Sequence, residues 1–409
     1  MSSVAKSSED KVVKDPVHGF IDLDGMQVDL LSQPEVQRLA WIRQLGLVFL
    51  IYPGAHQTRL EHSIGASYLC SQIADRLGLG KDENKLLEAA GMLHDLGHAP
   101  FSHAIEPIMP ESHTEITRKL ILGESELPEE TGVPSTLEEH GVSPRKVADL
   151  VTGDFEGERY LQDIISSQMD ADQLDYLARD GHHTGVSYGA VEVEWLMNVM
   201  RINEGRLTYL EKGLDGIEQY LVARDQMYSS VYRHKTVDIV EGMLLRAVKR
   251  YAEEKDIKDL LWLTDGELLQ RLGSSNPYSR EMVERIRKRN LYKEAYVLKS
   301  TDPEEKKRKV EDLKIKEAEE LEREIADRVG LEVKEVMVNE QEGTLVSVEP
   351  RLRKFDIKIT KNNGDVVPLE EISEITKALK EDGPMRNLFS VYTTPGNREK
   401  VRRAVKELL

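Results

Sequence analysis

Residues 11–25 (KVVKDPVHGFIDLDG) mix β-branched positions with Pro16, Gly19 and Gly25, which predicts a short strand pair or turn. From Pro34 on, Val36, Leu39, Ala40 and Ile42 recur near a 3.6-residue period, as do Ile64, Tyr68, Leu69 and Ile73. Helices are expected on either side of the Tyr52-Pro53-Gly54 break. Leu86–Leu96 reads as a helix closed by Gly97 and Pro100, residues 128–144 as an acidic loop or short helix, and 158–180, 190–203 and 214–254 as further helices. Between 303 and 328, Lys and Glu crowd around a seam of Val310, Leu313, Ile315, Ala318, Leu321 and Ile325, the pattern of an amphipathic helix with a solvated charged face. The tail changes period. Val333–Val338, Thr344–Glu349 and Lys354–Ile359 read as strands, Asn362–Gly364 as a hairpin turn, and Leu369–Lys380 and Arg398–Leu408 as helices.

The expected fold is mainly α. A β/turn segment (1–32) precedes a helical core (33–255), a helical extension (256–329) and a small α+β unit (330–409). At 409 residues the chain is long enough for two or three such units. Its charge, −18 from 56 basic and 74 acidic residues, argues against a surface built for nucleic acid or anionic membrane, and leaves room for a local basic pocket. The single cysteine, Cys70, falls in an apolar helical stretch as buried filler and excludes a disulfide framework. The polar start, Met1–Asp10, lacks the apolar core of a signal peptide, and the longest apolar run, Leu45–Tyr52, is far too short to span a bilayer. A cytoplasmic protein is expected.

Histidines concentrate the chemistry. Five of the 11 lie between His62 and His113, among Asp95, Glu106 and Glu115; imidazoles beside carboxylates are what divalent transition-metal sites use. His94 and Asp95 end an apolar helix and point about 100° apart, so both can reach one ion beside it. They cannot complete its shell. His62, at the start of an earlier helix, and Asp172, within MDADQLDY, are the natural partners, although Asp170, Asp175 and Asp180 lie close by.

The flanks sharpen this reading. QLGLVFLIYPGAHQTRLEHSIG (44–65), LHDLGHAPFSH (93–103), MDADQLDYLARDGHHTG (169–185) and VYRHK (231–235) occur in order. Together they resemble the HD-domain phosphohydrolases. Within that group the likeness is to the deoxynucleoside triphosphate triphosphohydrolases, in the branch holding the vertebrate sterile-alpha-motif/HD-domain enzymes and their prokaryotic relatives. It runs from about Lys11 to about Tyr251. The resemblance implies a helical HD core with a metal on His62, His94, Asp95 and Asp172, leaving Asp170 and Asp175 as surface or cap residues. It implies attack of metal-activated water on the α-phosphorus of a dNTP, releasing deoxynucleoside and triphosphate. His103 would protonate the leaving oxygen with Glu106 as its supporting carboxylate, a place where relatives have Asp. His98, His113, Arg59, Arg224 and Lys235 match phosphate-contacting positions, Gln44 and Leu45 border the sugar, Tyr176 packs on the deoxyribose, and Asp180 meets its 3′-hydroxyl. Two departures stand out: Gln173 where the vertebrate pattern has lysine, and Tyr228 where it has histidine.

The metal is left open among Mn, Fe, Ni, Zn and Mg, with a second Mg as an option, and a homo-dimer or tetramer is expected from the relatives. Lys11 and Val12 lie in a stretch resembling the family's activating nucleotide site. There, Ser32 stands for the aspartate that reads guanine and Ala40 for a base-stacking arginine, so guanine-specific activation is expected to be weak. The competing readings are another HD phosphohydrolase (a nucleotidase, or an enzyme for cyclic nucleotides or guanosine tetraphosphate) and a non-catalytic nucleotide-sensing module.

Overall fold

The computed structural model describes residues 10–125, 131–299, 301–313, 318–339, 356–381 and 387–408. Its N-terminal strand pair forms as expected: Lys11–Asp15 and Gly19–Leu23 pair antiparallel, with Asp15 opposite Gly19. Asp15 closes the turn by accepting the N–H groups of Val17 and His18, each at 2.8 Å. Alternation sends Val13, Ile21 and Leu23 inward and leaves Val12 and Phe20 exposed.

The body is helical. Arg59–Leu77 starts at a capping box written in the sequence as Thr58-x-x-Glu61, in which each residue's side chain meets the other's backbone N–H. It packs against Lys81–Leu93. Gly91 permits the close approach, since a Cβ there would lie 2.9 Å from the Ser67 backbone. Ala171–Thr184, capped by Asp170, crosses the same helix. Leu214–Met227 and Lys235–Ala252 complete the walls of the site. Leu69, Ile73, Leu87, Met92, Leu93, Leu174 and Leu177 fill the core between them. Among the described residues no helix is long and apolar enough to cross a membrane.

One expected helix ends early. Residues 190–203 fold as the helix Val193–Val199 followed by a strand, Met200–Asn203, that turns back onto Arg206–Leu210. The turn residues Glu204 and Gly205 both have positive φ, as a tight hairpin requires, and Thr208 and Tyr209 suit the returning strand.

The tail does not keep to itself. Lys358–Thr360 and Val366–Pro368 extend the 200–210 hairpin into a four-stranded sheet. Asn387–Thr393 pairs with Val336–Asn339 on one side and with Lys293–Lys299 on the other. The expected division at 330 therefore runs through both sheets: their strands come from 200–210 and 293–299 as well as from the tail. Leu321 and Ile325, from the amphipathic seam, lie buried with Val401 and Val405 of Arg398–Leu408 against this second sheet. Residues 344–349, read as a strand from sequence, and Ile315 of the seam lie outside the described residues. On the sheet's other face, Met337 and Tyr392 share a core with Met243 and Leu244 of Lys235–Ala252.

Candidate active site

The Thr58 cap sets His62 one turn into its helix, and the end of the next helix presents His94 and Asp95. Asp170 accepts the N–H groups of Gln173 (2.7 Å) and Ser167 (2.8 Å), which places Asp172 in the first turn of Ala171–Thr184, where the helix N-terminus favours a carboxylate. The four side chains converge. His62 Nε2 lies 3.0 Å from Asp172 Oδ1, 3.1 Å from His94 Nε2 and 3.7 Å from Asp95 Oδ2. His94 Nε2 lies 3.4 Å from Asp95 Oδ1 and 3.7 Å from Asp172 Oδ1.

The donor set fits a divalent cation. The other nitrogen of each imidazole is already engaged: His62 Nδ1 donates to Asp175 (2.8 Å) and His94 Nδ1 to the Gly91 carbonyl (2.9 Å). Both Nε2 lone pairs are thereby aimed at one point beside two carboxylates, the arrangement that fixes a ligating tautomer. Burial disfavours the charged form of His62, yet Asp172 and Asp175 outweigh it and lift its pKa to about 10, so a cation binding there would displace a proton from Nε2. The pocket attracts positive charge.

A second cluster sits alongside. His103 Nδ1 and His113 Nδ1 share the Glu106 carboxylate, at 2.7 and 2.5 Å. Although burial opposes it, these bonds hold Glu106 well below the ordinary carboxylate range. His98 stacks on His113 with ring centroids 3.9 Å apart and lies 3.2 Å from Asp95. Burial, reinforced by Arg59 and His113, keeps His98 neutral. Burial also depresses His103, with Arg59 and His113 opposing the pull of Glu106. The ring nitrogens of His98, His103 and His113 come close enough together that they could hold a second cation.

All these histidines open on one cleft of about 310 Å³. Gln44, Leu45, Arg59, Asp172, Tyr176, Asp180, Arg224 and Tyr228 line it too. Arg59 ion-pairs with Asp95 and donates to Ser102 Oγ at 2.8 Å. Arg224 is buried, and among the described residues its Nε has no hydrogen-bond partner; nor has Gln44 Oε1. Asp180 accepts from Gln57 (2.8 Å) and Tyr232 (2.7 Å), but burial raises its pKa to about 6. Gln173 lines the cleft as well, but its amide is engaged by the protein: it donates to the Ser167 carbonyl and accepts from Tyr220. Three residues matched to nucleotide-binding positions stay apart from the cleft: Lys235 is exposed at the start of its helix, and Lys11 and Val12 sit on the outer strand pair.

Residues 59–180 match the HD domain, and 191–409 match the HD associated region that accompanies it. The chain belongs to the HD-domain family. A protein of Methanocaldococcus jannaschii is 38% identical over 289 residues, covering 69% of this chain and 59% of that protein. The deoxynucleoside triphosphate triphosphohydrolase SAMHD1 of Homo sapiens is 28% identical over 341 residues, covering 69% of this chain and 54% of that protein. The chain thus spans between half and three-fifths of the length of these curated relatives. Two solved structures share its fold over nearly the whole length. One, a protein from Aquifex aeolicus, has a TM-score of 0.78 at 28% identity, with 97% and 100% of the two chains covered. The other, a phosphohydrolase from Bacteroides thetaiotaomicron, has a TM-score of 0.71 at 26% identity, with 94% and 99% covered.

One expectation for this HD domain is overturned. Asp175 is not a surface or cap residue: it is fully buried and accepts from His62, His18 (2.6 Å) and both Nε and Nη2 of Arg179 (2.9 Å each). Arg179 also donates to Asp15 at 2.8 Å, tying the N-terminal strand pair to the site. Gly65 makes the space, because a Cβ there would collide with Asp175 and Arg179. The sequence does hold a signal: Asp172, Asp175 and Arg179, at i, i+3 and i+7, share one helix face. Asp170 is a cap, as expected, with burial and Asp172 raising its pKa to about 7.

Proposed function

We propose that the chain is a metal-dependent dNTP triphosphohydrolase, converting dNTP and water to deoxynucleoside and triphosphate. The observation that carries this reading is the single cleft. The His62–His94–Asp95–Asp172 cluster, the Arg224 guanidinium, whose Nε has no partner among the described residues, the Arg59 side chain, Gln44, Tyr176 and Asp180 all line one space. A divalent cation held by the four ligands would lower the pKa of a bound water and polarise a phosphoryl oxygen.

The remaining roles belong to this chain's side chains. Arg59 and Arg224 supply positive charge for the phosphates inside an acidic protein, and a planar guanidinium suits that task. His103, braced by Glu106, would be the proton donor for the leaving 5′-oxygen. Tyr176 would pack on the sugar and crowd a 2′-hydroxyl, while Asp180 would accept from the 3′-hydroxyl. Likeness to the Bacteroides phosphohydrolase and to the deoxynucleoside triphosphate triphosphohydrolase SAMHD1 supports phosphoryl chemistry. Gln173 favours a second reading, another HD phosphohydrolase with fewer phosphates to bind, because its amide is spent on the protein. Incubating a panel of nucleotides with Mn²⁺ or Mg²⁺ and resolving the products separates the two. Tripolyphosphate from dNTPs supports the proposal, whereas orthophosphate as first product supports the alternative. His94→Ala and Asp95→Ala should each lose bound metal and hydrolysis together.

A further inference from the structure

Two adjoining stretches of chain supply walls of the cleft: residues 43–46, of which Gln44, Leu45 and Gly46 line it, and residues 98–103, of which His98, Phe101, Ser102 and His103 line it. Neither wall belongs to an α-helix or a sheet; the second runs into a 3₁₀ turn, Ser102–Ala104. Arg43 forms an isolated β-bridge with Thr58, and a carboxylate from far downstream ties the two stretches to each other. Asp265, only 2% exposed, accepts the Phe101 N–H at 2.7 Å with Oδ1 and the Arg43 N–H at 3.0 Å with Oδ2. Between the walls, Ser102 Oγ donates to the Arg43 carbonyl at 2.9 Å.

The segment bearing Asp265 is itself pinned to the same wall. The Arg38 guanidinium donates to the carbonyls of His98 (3.0 Å), Leu261 (2.8 Å), Trp262 (3.1 Å) and Leu263 (2.9 Å), and stacks on the Trp262 ring. Phe101 and Ser102 both have φ of 56°, a left-handed conformation that non-glycine residues hold only when their surroundings impose it. The very next residue is His103. Asp265 thus fixes the N–H at the start of this left-handed pair.

We infer that Asp265, contributed by the HD associated region, is a positioning residue that locks the two walls together and thereby aims His103 at the leaving oxygen. It lies outside the proposed ligand set and acts through the backbone N–H groups of Arg43 and Phe101, with the Arg43 guanidinium a further contact at 3.4 Å. The inference rests on the proposed role of His103 as proton donor.

Asp265→Asn tests it in the full chain loaded with Mn²⁺. The amide keeps the shape but can serve only one of the two N–H groups. With dGTP, kcat should fall by about 10- to 100-fold, the scale of an ångström-sized misplacement, while KM and bound metal stay as in the parent. The discriminating readout is dGTP with sulfur bridging C5′ and the α-phosphorus, because a thiolate leaves without a proton donor. On that substrate Asp265→Asn should work nearly as fast as the parent. Equal losses on both substrates, or no loss on dGTP, overturn the inference. His103→Ala is measured alongside. If it shows no preference for the sulfur substrate, His103 is not the donor and the functional reading itself fails. If His103→Ala shows the preference and Asp265→Asn does not, only the positioning role fails. Should the amide variant not fold, Asp265→Glu displaces both acceptors by one methylene and must give the same substrate selectivity.

Discussion

Replacing Asp175 with Asn probes how the metal cluster is held. Asp175 accepts four hydrogen bonds from three cationic or ring partners: His18, His62 and two from Arg179. An amide presents one acceptor and one donor, so its N–H₂ must face a donor it cannot satisfy. Arg179, fully buried, would keep Asp15 but lose the carboxylate that neutralises it best. Breaking a buried ion pair costs about 3–5 kcal/mol. Because Asp15 remains, the low end applies, about 3 kcal/mol, or roughly 6 °C in Tm at ~2 °C per kcal/mol. The second effect is chemical. His62 would no longer be held with its proton on Nδ1, so Nε2 would spend part of its time protonated and unable to ligate. Loss of such an outer partner lowers metal affinity by about 10- to 100-fold. Thermal melting and Mn²⁺ titration of the purified variant read the two effects separately. Unchanged metal affinity would refute the idea that Asp175 sets the His62 tautomer, whatever happened to Tm.

The pH profile follows from His103, whose pKa is pushed below its usual 6.5 by burial, with Arg59 and His113 adding to it. A donor must be protonated, so kcat/KM should fall as pH rises through that lowered value, while kcat, measured with triphosphate anions bound nearby, should hold to higher pH; a flat kcat/KM between about pH 6 and 8, or a basic limb that survives His103→Ala, would contradict this. Guanine-specific activation should be weak or absent: the Ser32 hydroxyl is already bonded to the Val28 carbonyl at 2.9 Å, and Ala40 carries no charge. Rates on dCTP with and without GTP check it, and a large GTP-selective stimulation would show the inference from Ser32 and Ala40 to be wrong.

The legible parts of the molecule are those written locally. The mixed β-branched stretch at 11–25 announces the strand pair, and the apolar periods on either side of Tyr52-Pro53-Gly54 announce helices. His62, His94, Asp95 and Asp172 stand out because ligand chemistry restricts residue type, and they do meet in space. What stays hidden depends on distant chain. Asp175 looks like any helix-start acid until Gly65, over 100 residues earlier, opens the gap it fills. Arg38 and Asp265 look like surface charges in one dimension, and their role exists only where residues 261–265 meet residues 98–103. The strand at 293–299 sits between two helical segments and is drawn into a sheet by Asn387–Thr393, more than 80 residues away, a tertiary override of local pattern. Residues 200–203 continue a helical period, and only the turn at Glu204-Gly205 reverses it.

Everything proposed for the cleft turns on one bond: water attacks the α-phosphorus, and the link from that phosphorus to the 5′-oxygen breaks. Hydrolysis of dGTP in H₂¹⁸O, with mass analysis of both products, reads this out. One ¹⁸O in tripolyphosphate and none in deoxyguanosine is the expected result. Label in deoxyguanosine, or dGMP or dGDP as the nucleotide product, would contradict it.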